Sequence, residues 1–145
     1  MKEKEEKQSI LIVDDDVDFL DQLKMQLVSH RFQVLTAQTQ KEAEHLLQQT
    51  VPDLAILDLM LEHFDGGFSL AYQIKKRHPQ VPVIIVSGVT SETGIQFDSS
   101  TAEEKNWVKA DTFLAKPIRF EQLLKEINRL LTERIRHGSF KNPDS

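Results

Sequence analysis

Short runs of Ile, Val and Leu alternate along this chain with longer stretches in which apolar residues recur every three or four positions. The two rhythms predict strands and helices in turn. Strands are expected at 9–13, 32–37, 54–58, 83–87 and 112–115. Helices are expected at 17–29, 40–49, 68–77, 101–110 and 119–136. The first helix carries Phe19, Leu20, Leu23 and Leu27 on one face, and the second carries Ala43, Leu46 and Leu47. Punctuation agrees with these bounds: Thr39 or Thr36 opens the second helix, Pro52 follows it, His78 and Pro79 close the third, and Gly138 stops the last. Five βα units in succession imply an α/β fold, a parallel sheet with helices on both faces. One domain is expected over 9–137, between a charged, flexible stretch at 1–8 and a flexible tail at 138–145.

The polar residues that interrupt this pattern sit at telling places. Ile10 to Val13 run into Asp14, Asp15 and Asp16. Leu54 to Leu57 end at Asp58, Val83 to Val86 end at Ser87, and Thr112 to Ala115 end at Lys116 and Pro117. Open parallel sheets build their sites at the carboxyl ends of their strands. Two carboxylates about 4 Å apart repel by about 4 kcal/mol at an effective dielectric of about 20. A fold that keeps such a cluster relieves it with a metal ion or a proton. Taken alone, Asp14 and Asp15 also suit a helix N-terminus, Ser87 a turn, and Asp58 and Lys116 an exposed strand end. Asp16 is read as a helix cap or a solvated carboxylate.

Composition narrows the classes. A chain of 145 residues with a net charge of -5 is acidic, which argues against a nucleic-acid surface, and the one basic run, Lys75 to Arg77, reads as a solvated helix end. Cysteine is absent, so a disulfide framework and thiolate metal sites are excluded. His30, His45, His63, His78 and His137 lack the spacing of a zinc site. Residues 1–8 lack the apolar core of a signal peptide, and no run approaches a membrane span. Cytoplasmic location, with neither nucleic-acid nor membrane partners, is the expectation.

Together, the acidic pair after the first strand, Asp58 with Asp65 and Gly66 behind it, Ser87 with Gly88, and Lys116 with Pro117 resemble the receiver domain of bacterial response regulators, over residues 9 to 135. The resemblance implies a flavodoxin-like, doubly wound (βα)5 sheet of strand order 2-1-3-4-5. It implies a stand-alone, CheY-like receiver of a two-component phosphorelay, a signalling phosphoacceptor with slow autodephosphorylation rather than an enzyme. By the same likeness Asp58 accepts a phosphoryl group, and Asp14, Asp15, Asp58 and the Met60 backbone carbonyl hold Mg²⁺. Ser87 and Lys116 contact the phosphoryl group, Phe113 and Ser87 switch, and the bond before Pro117 is cis. The implied partners are a sensor histidine kinase or phosphotransfer protein and an unknown downstream protein effector. The effector would meet the face made by the fourth helix, the fifth strand and the last helix, through which a monomer or weak homodimer is expected. Mg²⁺ suits the donor set on chemical grounds too, since it takes hard oxygen ligands and keeps several waters.

The chain departs from the family at several points. Glu62 stands where Pro is usual, which makes the loop beside Asp58 more acidic and less restrained. Met60 and Val89 stand where polar groups often influence hydrolysis, and neither side chain orients water, so a long-lived acyl phosphate is expected. Phe113 replaces the frequent Tyr and donates no hydrogen bond. The interval from Ser87 to Lys116 is several residues longer than usual, around a helix whose Trp107 is read as packed on the sheet edge. Two alternatives stand beside the main reading. One is a phosphorylation-independent pseudo-receiver that only docks. The other is a haloacid-dehalogenase-type phosphatase built on Asp14 and Asp16, which leaves Asp58 unexplained. A dinucleotide-binding module lacks its G-x-G-x-x-G after the first strand.

Overall fold

A computed structural model describes residues 7–60, 66–88 and 110–141. Its elements, in chain order, are β1 (Ser9–Val13), α1 (Val17–Ser29), β2 (Gln33–Ala37), α2 (Gln40–Gln49), β3 (Leu54–Asp58), α3 (Gly66–Arg77), β4 (Val83–Ser87), β5 (Thr112–Ala115) and α4 (Phe120–Lys141). All five strands pair in parallel in the order β2-β1-β3-β4-β5, the flavodoxin-like order expected from the sequence.

Burial explains why the apolar strands occupy the middle. Every residue of β3 and β4, and all of β1 after Ser9, is buried, whereas β2 and β5 at the edges are half-covered. A strand covered on both faces reads as a continuous apolar run, as ILIV, LAIL and VIIV do. Successive side chains then point to opposite faces. Ile10, Ile12, Ile56 and Ile84 pack with Leu20, Leu23 and Leu27 of α1 and Leu123, Ile127 and Leu130 of α4. Leu11, Val13, Leu57 and Ile85 pack on the other face with Ala43 of α2 and Leu70, Ala71 and Ile74 of α3. At about 2 kcal/mol for each large apolar side chain withdrawn from water, these two layers supply most of what holds the sheet between its helices.

The helices start on polar caps. Asp16 accepts the Phe19 N–H at 3.2 Å at the head of α1, and Thr39 accepts the Glu42 N–H at 3.0 Å at the head of α2. Asp16 is therefore a cap, as its position suggested. Two further carboxylates tie down strand starts: Asp53 accepts the Ser9 N–H at 2.8 Å, and Asp111 accepts the Val83 N–H at 2.8 Å while pairing with Lys75 at 2.8 Å.

The bounds of three elements differ from the sequence expectation. The helix α3 starts at Gly66 rather than at 68. Phe32 precedes β2 instead of opening it, because its N–H closes α1 by donating to the Leu27 carbonyl. The last helix begins at Phe120 and runs through Gly138 to Lys141, so the tail expected from 138 is partly helical. Glycine costs a helix interior about 1 kcal/mol but neither clashes nor lacks an N–H, so it weakens a helix without ending it. The expected helix at 101–110 with Trp107, and Glu62, Asp65 and Val89, lie outside the described residues. Among the described residues no helix is long and apolar enough to cross a membrane.

The turn after α1 holds a strained residue. Arg31 has φ 74°, while its N–H donates to the Val28 carbonyl at 2.9 Å. That left-handed conformation costs an L-residue about 1–2 kcal/mol and glycine almost nothing. Arg31→Gly is expected to stabilise the protein by about 1 kcal/mol, read as a higher urea midpoint at unchanged slope. A lower midpoint would show that the Arg31 side chain contributes more than its backbone costs.

Candidate functional site at the carboxyl edge of the sheet

Parallel register sets the height of each functional residue. Val13 lies opposite Leu57, Asp58 opposite Val86, and Ser87 opposite Ala115. The ladders run one step past the strands: Asp14 N–H donates to Ala37 at 3.1 Å, Leu59 N–H to Val86 at 2.9 Å and Lys116 N–H to Ser87 at 2.8 Å. Asp14 and Asp58 are thereby level at one edge, with Ser87 one residue and Lys116 two residues beyond them.

The carboxylates converge there. One oxygen from each of Asp14, Asp15 and Asp58 lies within 4.8 Å of the others. Asp14 is 1 % exposed and Asp58 7 %, whereas Asp15 faces solvent. Neither Asp14 oxygen is idle: Oδ1 accepts the Asp16 N–H at 2.9 Å, and Oδ2 accepts from Lys116 Nζ at 2.9 Å. Asp58 Oδ1 accepts the Met60 N–H at 3.4 Å, a long bond. Lys116 therefore forms its ion pair with Asp14 rather than with Asp58.

Charge follows from this placement. Burial, reinforced by the Asp14 charge, pushes the Asp58 carboxyl up to about 6, against the opposing pull of Lys116 and the Met60 N–H. Burial works against the Lys116 ammonium, but the Asp14 hydrogen bond and the Asp58 charge outweigh it and hold its pKa above the ordinary value. Among the described residues one lysine thus faces three carboxylates, an excess of negative charge in a partly desolvated recess.

The donor set fits a hard divalent cation. Three carboxylates at the ends of β1 and β3 offer oxygens within 4.8 Å of one another, and one of them, Asp15, opens to water. Mg²⁺ is bound in this manner, by a few carboxylates plus solvent, with an octahedron completed by waters.

Around this centre stand the remaining residues of sequence interest. Ser87 is buried at the end of β4. Gly88 lies against the lysine stem: a Cβ placed there would come 3.2 Å from Lys116 Cδ. The Lys116–Pro117 peptide is cis. Phe113, half-buried in β5, packs on the α2 and α3 side of the sheet, and Met60 is half-buried beside Asp58. Sequence reasoning missed one neighbour. Phe19, assigned only to the core, lies with its ring 4.5 Å from Lys116 Nζ. Its helical spacing concealed this, since a residue at the margin of an apolar stripe looks like the rest of the stripe.

The family model of the response regulator receiver domain matches residues 10–128. Among curated relatives, the protein PilH of Pseudomonas aeruginosa is 34% identical over 127 residues, which cover 84% of this chain and 96% of that one. The response regulator protein PilR of the same organism is 34% identical over 77% of this chain but only 23% of its own length. This chain thus spans nearly all of one relative and about a quarter of the other. Among solved structures, a CheY-like response regulator receiver domain protein from Methanospirillum hungatei superposes with a TM-score of 0.77 at 27% identity, covering 92% of this chain and 100% of that one. The receiver domain of NtrX from Brucella abortus gives 0.70 at 29% identity, covering 85% and 98%.

Asp58 has a measurable linkage. Its folded pKa of about 6 lies above the ordinary 3.8, so the folded protein holds this proton more tightly than the unfolded chain does. Ionised Asp58 therefore costs stability: the cost is complete above pH 6 and is relieved as pH falls towards 3.8. With EDTA at neutral pH, Asp58→Asn is expected to stabilise the protein by about 2 kcal/mol, a gain that shrinks as pH falls through 6 and on addition of Mg²⁺. Urea titrations across this range read it directly. A gain independent of both pH and Mg²⁺ would remove charge as the cause.

Proposed function

The chain belongs to the response regulator receiver family, and we propose that it accepts a phosphoryl group on Asp58 from a phosphohistidine and passes the resulting change of shape to a partner protein. The observation that carries this reading is the convergence of Asp14, Asp15 and Asp58 with Lys116 and Ser87 at one edge of the sheet. It is a receiver of a two-component system, and such domains signal between histidine kinases or phosphotransfer proteins and downstream effectors. The phosphatase alternative finds no support, because the family match is to receivers and Asp58 lies among the converging carboxylates.

A carboxylate oxygen of Asp58 attacks phosphorus in line with the phosphohistidine nitrogen. The P–N bond breaks, the imidazole leaves with the bonding pair, and an acyl phosphate remains. The obstacle is charge, since an anion approaches a recess that is already negative. Mg²⁺ held by Asp14, Asp15, Asp58 and the Met60 carbonyl would supply the positive charge that lets attacking and phosphoryl oxygens approach. Lys116 exchanges its bond to Asp14 for one to a phosphoryl oxygen, where a positioned cation stabilises the charge spread over the transition state. The Ser87 hydroxyl donates to another phosphoryl oxygen. Gly88 leaves the lysine stem room to lie along the strand end.

Phosphorylation adds about 1.5 to 2 negative charges. Ser87 and Lys116 are drawn towards Asp58, and Phe113 follows β5, biasing a pre-existing equilibrium between two packings. Output then passes to a protein effector at the face that contains β5 and α4.

Intact-mass measurement after incubation with Mg²⁺ and phosphoramidate tests the acceptor. One phosphoryl group is expected, absent in Asp58→Ala and with EDTA. An adduct that survives Asp58→Ala but vanishes in Asp14→Ala would overturn the assignment. The same samples, freed of donor and followed in time, are expected to retain the adduct for minutes or longer, because Met60 offers hydrolytic water no polar partner. Loss within seconds would contradict a long-lived acyl phosphate.

A further inference from the structure

Lys116 is held at three points, and only two belong to the chemistry described above. Gly88 lies along its stem, Asp14 Oδ2 binds its ammonium at 2.9 Å, and the Phe19 ring lies 4.5 Å from Nζ. The third contact is a cation–π interaction, with a cation well inside the roughly 6 Å over which a ring attracts it.

The ring is placed by the same turn that carries the acidic pair. Asp14 Oδ1 accepts the Asp16 N–H, and Asp16 Oδ1 accepts the Phe19 N–H. Asp14 in turn binds Lys116, which closes a circuit back to the Phe19 ring. Phe19 is half-buried against the apolar layer of α1 and α4 and borders one groove with Lys116, Pro117 and Phe120. Its ring thus lies between the apolar layer and the lysine.

Asp14 is asked to do two things. It pairs with Lys116, and it is one of the three carboxylates that fit a divalent cation. A dication among those carboxylates competes for Asp14 and repels the ammonium. The neutral ring does not lose its attraction in that exchange. We infer that Phe19 is a positioning residue for phosphoryl transfer: its ring keeps Lys116 at the rim of the site when Asp14 turns to the cation, close enough to be taken up by the incoming phosphoryl oxygens. The contact is weak enough, about 0.5 to 2 kcal/mol, to yield to a phosphoryl group, which binds an ammonium more strongly. This inference rests on the reading of Asp58 as phosphoacceptor.

The test compares Phe19→Leu, which keeps an apolar side chain and loses the π face, with Phe19→Tyr, which keeps both. With Mg²⁺ and phosphoramidate, the rate of phosphorylation in Phe19→Leu is expected to fall roughly 3- to 30-fold, the range such a contact is worth. Phe19→Tyr is expected to keep the wild-type rate, and Mg²⁺ affinity to change little in either. Proton NMR supplies a signature that packing alone would not move. The methylene protons beside Lys116 Nζ should be shifted upfield by the ring in wild type and Phe19→Tyr, with and without Mg²⁺, and return to ordinary positions in Phe19→Leu. Absence of that shift in wild type overturns the inference even where Phe19→Leu fails to fold. Equal rates in wild type and Phe19→Leu overturn it too, as does equal slowing in both variants. Failure of the wild type to take up any phosphoryl group would instead remove the acceptor reading on which the inference stands.

Discussion

Because the five strands run parallel, every one leaves the sheet at the same edge, and the residues that follow them gather whether or not their charges are compatible. The three central strands are buried on both faces, which fixes their register through packing and leaves the edge no freedom to spread its carboxylates. Asp14 and Asp58 are level because Val13 and Leu57 are paired. The repulsion between them is a consequence of the fold, held in place by apolar layers that lie elsewhere. Among the described residues a single cation, Lys116, is bound to Asp14, against three carboxylates. Burial, with the Asp14 charge adding to it, raises the proton affinity of Asp58.

Much of this was legible in the sequence because two different periods are written into it. Unbroken runs such as ILIV and VIIV can only be central strands in a chain of this kind, and the stripe of Leu20, Leu23 and Leu27 can only face inward. Strand order and the strand-end gathering of Asp14, Asp58, Ser87 and Lys116 came from recognising the ensemble, since no single residue carries it. Helix ends were harder. Gly138 reads as a stop, yet glycine is a weak breaker, and the helix continues to Lys141. Phe32 belongs to the closure of α1, which depends on a backbone bond to Leu27 that periodicity does not encode. The partner of Lys116 was also beyond the sequence: which of two nearby carboxylates an ammonium chooses depends on tenths of an ångström in side-chain placement.

The pairing of Lys116 with Asp14 also bears on the chemistry proposed for the site. In the proposed mechanism Lys116 and a divalent cation are rivals for Asp14, so the ion pair would be given up before the lysine meets a phosphoryl group. Around it, groups that carry no charge set the geometry. Gly88 gives the stem its lane, and Phe19 lies beside the ammonium without competing for the metal. Neutral neighbours suit the proposed exchange, because their contacts do not depend on which ion Asp14 holds.

The division of the core into two layers bears on how this chain can change. Ile10 and Ile12 belong to the layer of α1 and α4, while Leu11 and Val13, their immediate neighbours, belong to that of α2 and α3. Side chains alternate faces along a strand, so loss or gain of one residue in β1 exchanges the two sets at once. It also moves Asp14 off the level of Asp58. Substitution within β1 alters the fit of one layer, but a change of length would scramble both layers and dismantle the acidic centre in the same stroke. The strand is thus a ruler for the site: what its divisions hold can be exchanged one at a time, but their number sets where the acidic centre falls.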